Sequence, residues 1–329
     1  MTTSSGFPLL KLPLLVLKTV TSQMDADVIF YLSFSHKTFK SLLITLKWRI
    51  NSLEWILFES QILIKIHSKF QTLNIEILSD YTHGSEPRKF NGFAVLVSKQ
   101  NEPGVTSWFL GPGNAENWKN LDTKLKILED LTEFLMSFVK CSSFKLHYAL
   151  GNNLTRHFFL WKYFKEKSID MKISRYYENA LKMASEDLKF LLEDVKSDNL
   201  NLNIQVTDAN FKYQGKLESK ELKIIHNNWL NLRNSGLNCE KIRTHFGCQN
   251  LENCNQILKN WIQGRFRFID LLQRLVFLVE NAVCRDIQRE SDGRWGTVVI
   301  DGSDFYFVVW KLDNLKKCCK ETRTKFGLE

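Results

Sequence analysis

The hydrophobic positions first fall into three short helical phrases between Phe7 and Leu46. Pro13 can occupy a first helical turn, where its missing N–H costs nothing and its fixed φ helps. Val16, Leu17 and Val20 then share a face by three- and four-residue spacing. Asp25 or Asp27 can cap a second helix whose apolar positions include Ile29, Phe30 and Leu32. Phe39, Leu42, Leu43 and Leu46 follow i, i+3, i+4, i+7 and define the third. Leu9, Leu10, Leu12, Leu14 and Leu15 crowd around the first helix, more apolar side chain than so short a unit can cover. Either a partner or the rest of the chain buries the surplus, and the pattern leaves both open.

From about Ile62 onward, amphipathic helices alternate with short apolar strands. The strands are expected at Ile75 to Leu78, Phe93 to Ser98, Phe144 to Leu150, Leu202 to Val206 and Leu222 to Ile225. Leu121, Leu125, Leu128, Leu131, Leu135 and Phe138 predict a helix over Leu121 to Val139. A second runs from Ser185, its expected cap, to Lys196, and a third from about Glu252 to Ile262, stopped by Gly264. Helices followed by strands imply parallel pairing through crossovers, and their recurrence suggests a leucine-rich-repeat-like stack of irregular period. Asp292-Gly293 and Asp301-Gly302 are hairpin signals. They predict an antiparallel meander of Arg285 to Arg289, Gly296 to Ile300 and Phe305 to Trp310. The stretch after it, 313–329, reads as a polar tail.

Composition adds little to this pattern. Apolar residues make up 44% and charged residues 25%, within the range of globular proteins. The net charge is +9, but no dense Lys/Arg block forms, so no nucleic-acid partner is expected. No apolar run approaches the roughly 20 residues a membrane span needs. Lys11 and Pro13 interrupt the Leu9 to Leu17 stretch that could imitate a signal peptide. No membrane partner is expected. The seven cysteines form no dense framework, which suits reduced thiols in a cytoplasmic or nuclear protein.

Tests for chemistry return little. Cys239, His245, Cys248 and Cys254 are the one array resembling a metal site, but only His245/Cys248 has tight spacing, so no metal is expected. Gly111-Pro112-Gly113 reads as a loop turn without the context of a phosphate cradle. His67, His147 and His157 stand isolated, and Asp286, Asp292, Asp301 and Asp304 are turn residues first. Trp108, Trp118, Trp161, Trp229 and Trp261 could anchor a recognition surface, though core packing is the better reading of Trp229 and Trp261. No catalytic residue and no cofactor is expected.

A resemblance ties these pieces together. Leu12-Pro13, the Val16/Leu17/Val20 face, Leu32-Ser33 and Lys37 to Leu42 resemble an F-box of a nematode-expanded family. Leu14 and Leu15 stand where many F-boxes carry acidic residues. Further on, Asn228-Trp229, Leu232, Cys239, Ile242 and the Asn255 to Gly264 phrase NQILKNWIQG are similar to the F-box-associated domain type 2. So is the closing run from Asp286 to Trp310. The resemblance implies a three-helix F-box over 7–48, then an irregular leucine-rich-repeat-like α/β domain over 60–312 ending in antiparallel hairpins. The type 2 signature would span about 200–265. It further implies a non-catalytic substrate receptor of a Skp–cullin–F-box ubiquitin ligase. Leu12, Pro13, Val16, Leu17, Val20 and Ile29 would bind the Skp adaptor and through it a cullin, and the later domain would hold an unidentified protein target. The alternative is a Skp-independent interaction module.

Overall fold

A computed structural model describes residues 11–78, 86–90, 93–112, 120–150, 154–164, 168–174, 180–225, 228–230, 236–245, 259, 262, 283–288, 290, 293, 295–301 and 304–309. The chain divides into two compact units, 1–147 and 148–329.

The first unit opens with three helices, α1 (Leu14–Gln23), α2 (Ala26–Ser35) and α3 (Lys37–Leu46). Pro13 stands one place before the expected first turn: it is the N-cap of α1, and its carbonyl accepts the Leu17 N–H at 3.0 Å. Asp25 is the N-cap residue of α2, but its side chain makes no capping hydrogen bond. Asp27, in the first turn, is buried and accepts from the Gln71 side chain at 3.1 Å. Lys47 ends α3 in the left-handed region, φ 53°, and its N–H closes the last turn on Leu43.

Strands then follow: β1 (Trp48–Phe58), β2 (Ile62–His67), β3 (Thr72–Ile77), β4 (Glu86–Phe90), β5 (Phe93–Glu102) and β6 (Val105–Pro112). Helix α4 (Leu121–Phe138) comes next, capped by the Asn120 side chain accepting from Asp122 N–H at 2.9 Å, and passes directly into β7 (Val139–Ala149). The sheet order in this unit is β7-β1-β2-β3-β6-β5-β4. The expected parallel, crossover-linked stack does not hold here. β1, β2 and β3 are a meander of antiparallel neighbours, as are β6, β5 and β4, and β3/β6 runs parallel. The turns after Phe58 and His67 are too short for any other pairing. Gly111 and Pro112 close strand β6 instead of forming a loop turn.

Register explains which side of the sheet the helices cover. Trp55, Ile64, Ile75 and Trp108 stand in one cross-strand row, all buried. The Trp55 indole N–H donates to Thr132 of α4 at 3.0 Å. Phe30 of α2 packs edge-on against Trp108 and against Phe134 of α4, and Phe134 continues to Phe138. The adjacent row, Glu54, Lys65, Asn74 and Ser107, lies on the opposite face, because successive strand residues alternate sides. Trp48–Phe58, which went unread as a strand, is thus the one that carries both the core row and the polar row.

The second unit contains α5 (Trp161–Phe164), β8 (Ile169–Ile173), β9 (Leu181–Met183), α6 (Ser185–Glu193), β10 (Asn199–Leu202), β11 (Ile204–Val206), β12 (Lys216–Ile224) and β13 (Gly236–His245). It closes with β14 (Val283–Gln288), β15 (Trp295–Asp301) and β16 (Asp304–Val309). Strands β8, β10, β12 and β13 pair in parallel in that order, as helix–strand alternation predicted. The antiparallel meander of β14, β15 and β16 is also as expected, and β16 pairs with β13. Leu202 to Val206 is two strands and not one. Asn203 bonds through its N–H to Ile173 and through its carbonyl to Leu181, which transfers the chain to a small parallel pair, β11 with β9. Ala184, not Ser185, is the N-cap of α6. Of the helix expected over Glu252 to Ile262, only Lys259 and Ile262 are described, both helical. The 313–329 tail lies outside the described residues.

Two consequences can be measured. Phe30→Ala removes the ring that joins α2 to β6 and α4, and is expected to cost about 3–5 kcal/mol in urea denaturation. Burial raises the Glu76 carboxyl above its ordinary value, against a hydrogen bond from Gln61 that lowers it. A raised carboxyl means the fold disfavours the ionised form, so Glu76→Gln is expected to stabilise at neutral pH, by under about 1 kcal/mol for this half-buried group. The gain should shrink as pH falls through the carboxylate range, where Glu76 takes up its proton. Thermal melts of both proteins across pH check it.

Candidate interaction surface

The six residues expected to bind a partner divide sharply by burial. Leu17 is 4% exposed and Ile29 is fully buried, so both belong to the unit's own packing. Val20 and Leu12 are half-buried, and Pro13 and Val16 are exposed. Around them α1 leaves more grease in solvent than the six suggest: Leu15 is 75% exposed, Leu14 56% and Val16 42%. The reason lies in the packing of the three helices. α2 meets α3 and β3, and α3 meets α4, so Ala26, Ile29, Phe30, Phe39 and Leu43 of those two helices are covered within the unit. Phe39 and Leu43 of α3 are buried, and the Lys40 ammonium lies over the Phe134 ring of α4 at 4.5 Å. α1 contributes only Leu17 and Thr21 to the interior. An apolar first turn with no acidic residue is left facing outward.

The opposite face of the first sheet holds a polar cluster that spacing could not reveal. Glu54, buried on β1, receives His67 Nε2 at 3.0 Å and His147 Nε2 at 3.5 Å, one imidazole on each carboxylate oxygen. His67 Nδ1 lies 3.1 Å from the Thr72 hydroxyl. His67 and His147, isolated in sequence, are therefore brought together by β2 and β7 flanking β1. With its proton on Nε2, each neutral imidazole can donate to the carboxylate, so the cluster can satisfy a buried acid through neutral rings. It has a hydroxyl, an imidazole and a carboxylate in a chain, but among the described residues no group of three or more His, Cys, Asp or Glu is placed to hold a metal ion. Glu54 and His67 are each one of several polar residues on β1 and β2, which also carry Arg49, Asn51, Ser52 and Lys65, so nothing in the alternation singled them out.

The other singled-out residues do not converge. Cys239 and His245 stand at positions six apart on extended β13, about 20 Å from one another at strand rise, too far to share an ion. Cys248 and Cys254 lie outside the described residues. Trp108, Trp161 and Trp229 are buried, as packing residues are, while Trp118 and Trp261 lie outside the described residues. His157 is exposed and accepts from Arg156 Nε at 3.2 Å. Asp286, Asp301 and Asp304 are in strands β14, β15 and β16, and Asp292 is not described. Among the described residues no helix is long and apolar enough to cross a membrane. Comparison with known protein families, curated proteins and solved structures returns no match.

The division between buried and exposed positions is directly testable. The pair Leu14→Asp/Leu15→Asp is expected to leave the melting transition within about 0.5–1 kcal/mol of the parent, as surface changes do. Leu17→Asp, which forces a charge into the interior, is expected to cost more than about 4 kcal/mol or abolish folding. Circular dichroism melts of the two variants distinguish them.

Proposed function

We propose that the chain is the substrate-recognition subunit of a Skp–cullin–F-box ubiquitin ligase, docking on the Skp adaptor through its first helix and holding a target protein with the structure that follows. The single observation that supports this reading is the first turn of α1, where Leu14, Leu15 and Val16 stand in solvent beside the F-box-like Leu12-Pro13 pair. Such a cluster on a folded unit is an interaction site before it is anything else. On this reading the chain performs no chemistry. It raises the effective concentration of a target lysine near a charged ubiquitin-conjugating enzyme, and the transfer follows from proximity. The docking set is Leu12, Pro13, Val16 and Val20 together with Leu14 and Leu15, with Leu17 and Ile29 supporting them from within. The F-box and F-box-associated assignments, and an intracellular location, are parts of the same proposal.

A second reading has its own observation. Ile29, Phe30, Phe39 and Leu43 are consumed by packing within the first unit, which suits a Skp-independent interaction module whose helices mainly serve their own sheet. The test uses point variants, because cutting the chain at Ile50 would remove the start of β1 along with α2 and α3. Full-length chain expressed in cells that contain a Skp adaptor is expected to co-purify with it and with a cullin. Leu14→Asp/Leu15→Asp should reduce that recovery at least about tenfold, the loss of roughly 1.4 kcal/mol, while the protein stays folded. Parent protein that captures no adaptor decides for the second reading.

A further inference from the structure

We propose that the exposed stripe of α1 seats in an apolar groove whose rim carries carboxylates, with Lys11 and Lys18 as their partners. The inference rests on the adaptor reading above and names the chemistry of the surface that α1 would meet. Leu14 and Leu15 lie one turn before Lys18 on the same stripe of the helix, at i+4 and i+3 spacing, and Lys11 precedes Leu14 by three residues. Both lysines are exposed. The apolar turn is thus bracketed at each end by a cation.

Among the described residues neither lysine forms an ion pair. Lys11 and Lys18 are the sole charged residues from Met1 to Met24. Across Met1 to Leu53 six cations (Lys11, Lys18, Lys37, Lys40, Lys47, Arg49) face two carboxylates (Asp25, Asp27), a formal +4. Asp27 is buried and already bonded to Gln71. A groove that covered Leu14 and Leu15 with apolar surface alone would strip water from the Lys18 ammonium and give nothing in return. A carboxylate at the rim lets the lysine stem lie on the groove while its charge is met. The other surface with this chemistry is an anionic membrane. The helix fits it poorly: a helix lying in a lipid interface offers a continuous apolar face, whereas Leu17 and Thr21 of α1 turn into their own unit.

The test measures binding kinetics of the full-length chain on immobilised recombinant Skp adaptor, from about 50 mM to about 500 mM salt, over which the Debye length shortens several-fold. The parent on-rate is expected to fall steeply with salt. Lys11→Glu/Lys18→Glu should lower the low-salt on-rate about tenfold and flatten the salt dependence, while the off-rate changes little. Leu14→Asp/Leu15→Asp should act mainly on the off-rate. If the lysine pair binds like the parent at low salt, the carboxylate rim is wrong although the adaptor reading stands. If the parent fails to bind at every salt concentration, both fall. A parallel arm uses vesicles of phosphatidylserine and phosphatidylcholine. Vesicle binding lost in the lysine pair, with adaptor binding unchanged, overturns the proposal in favour of a membrane surface.

Discussion

The row Trp55, Ile64, Ile75 and Trp108 is the constraint on which the first unit depends. It places two tryptophans on one face of a meandering sheet, and so much aromatic surface requires a helical cover. α4 supplies part through Thr132 and Phe134, and α2 supplies the rest through Phe30. α3 then closes the gap between them. With these helices committed inward, α1 meets the sheet at β1. The outward grease of α1 is thus a consequence of how the sheet is covered, not a separate property of the N-terminal sequence.

The same alternation that builds the core row sets the polar row on the other side. Glu54 follows Leu53 and precedes Trp55, so it cannot avoid the opposite face, and the meander hands it His67 from β2. A buried carboxylate left unpaired would cost several kcal/mol. Two imidazoles satisfy it at modest entropic cost, because strand pairing already fixes their backbones. The cluster is best understood as the polar counterpart of the tryptophan row: both arise from register, and neither can form if β1 slips by one residue.

How far these features were legible in the sequence depends on the range of the interactions behind them. Periodicity sufficed where a single element carries the signal: α3, with Phe39 and Leu43 buried, and α4, whose leucine spacing gave its limits within a residue. Turn chemistry sufficed for the order of β14, β15 and β16. Pattern reading failed at β1, where Ser52 and Glu54 lower the apparent hydrophobicity of the strand, and at Asn203, where one residue moves the chain between two sheets. Periodicity marked Leu17 and Val20 as one face of α1 but could not say which face looked inward. That depends on β1, the strand α1 packs against, which begins 25 residues after the helix ends.

The apolar triplet on α1 also sets a limit on what it can do alone. Completing the burial of Leu14, Leu15 and Val16 would contribute roughly 1–2 kcal/mol each, given about 1.5–3 kcal/mol for a fully exposed aliphatic side chain. Losing the free motion of two proteins costs roughly 4–15 kcal/mol. Three side chains cannot carry a lasting complex on that comparison. Leu12 and Pro13 just before α1 and Val20 within it extend the patch, and Val28 and Tyr31 of α2 and Ile44 of α3 are further apolar side chains that keep part of their surface in solvent. A partner that grips this protein firmly has to reach beyond the first turn to some of these, while the flanking lysines speed the encounter more than they hold it.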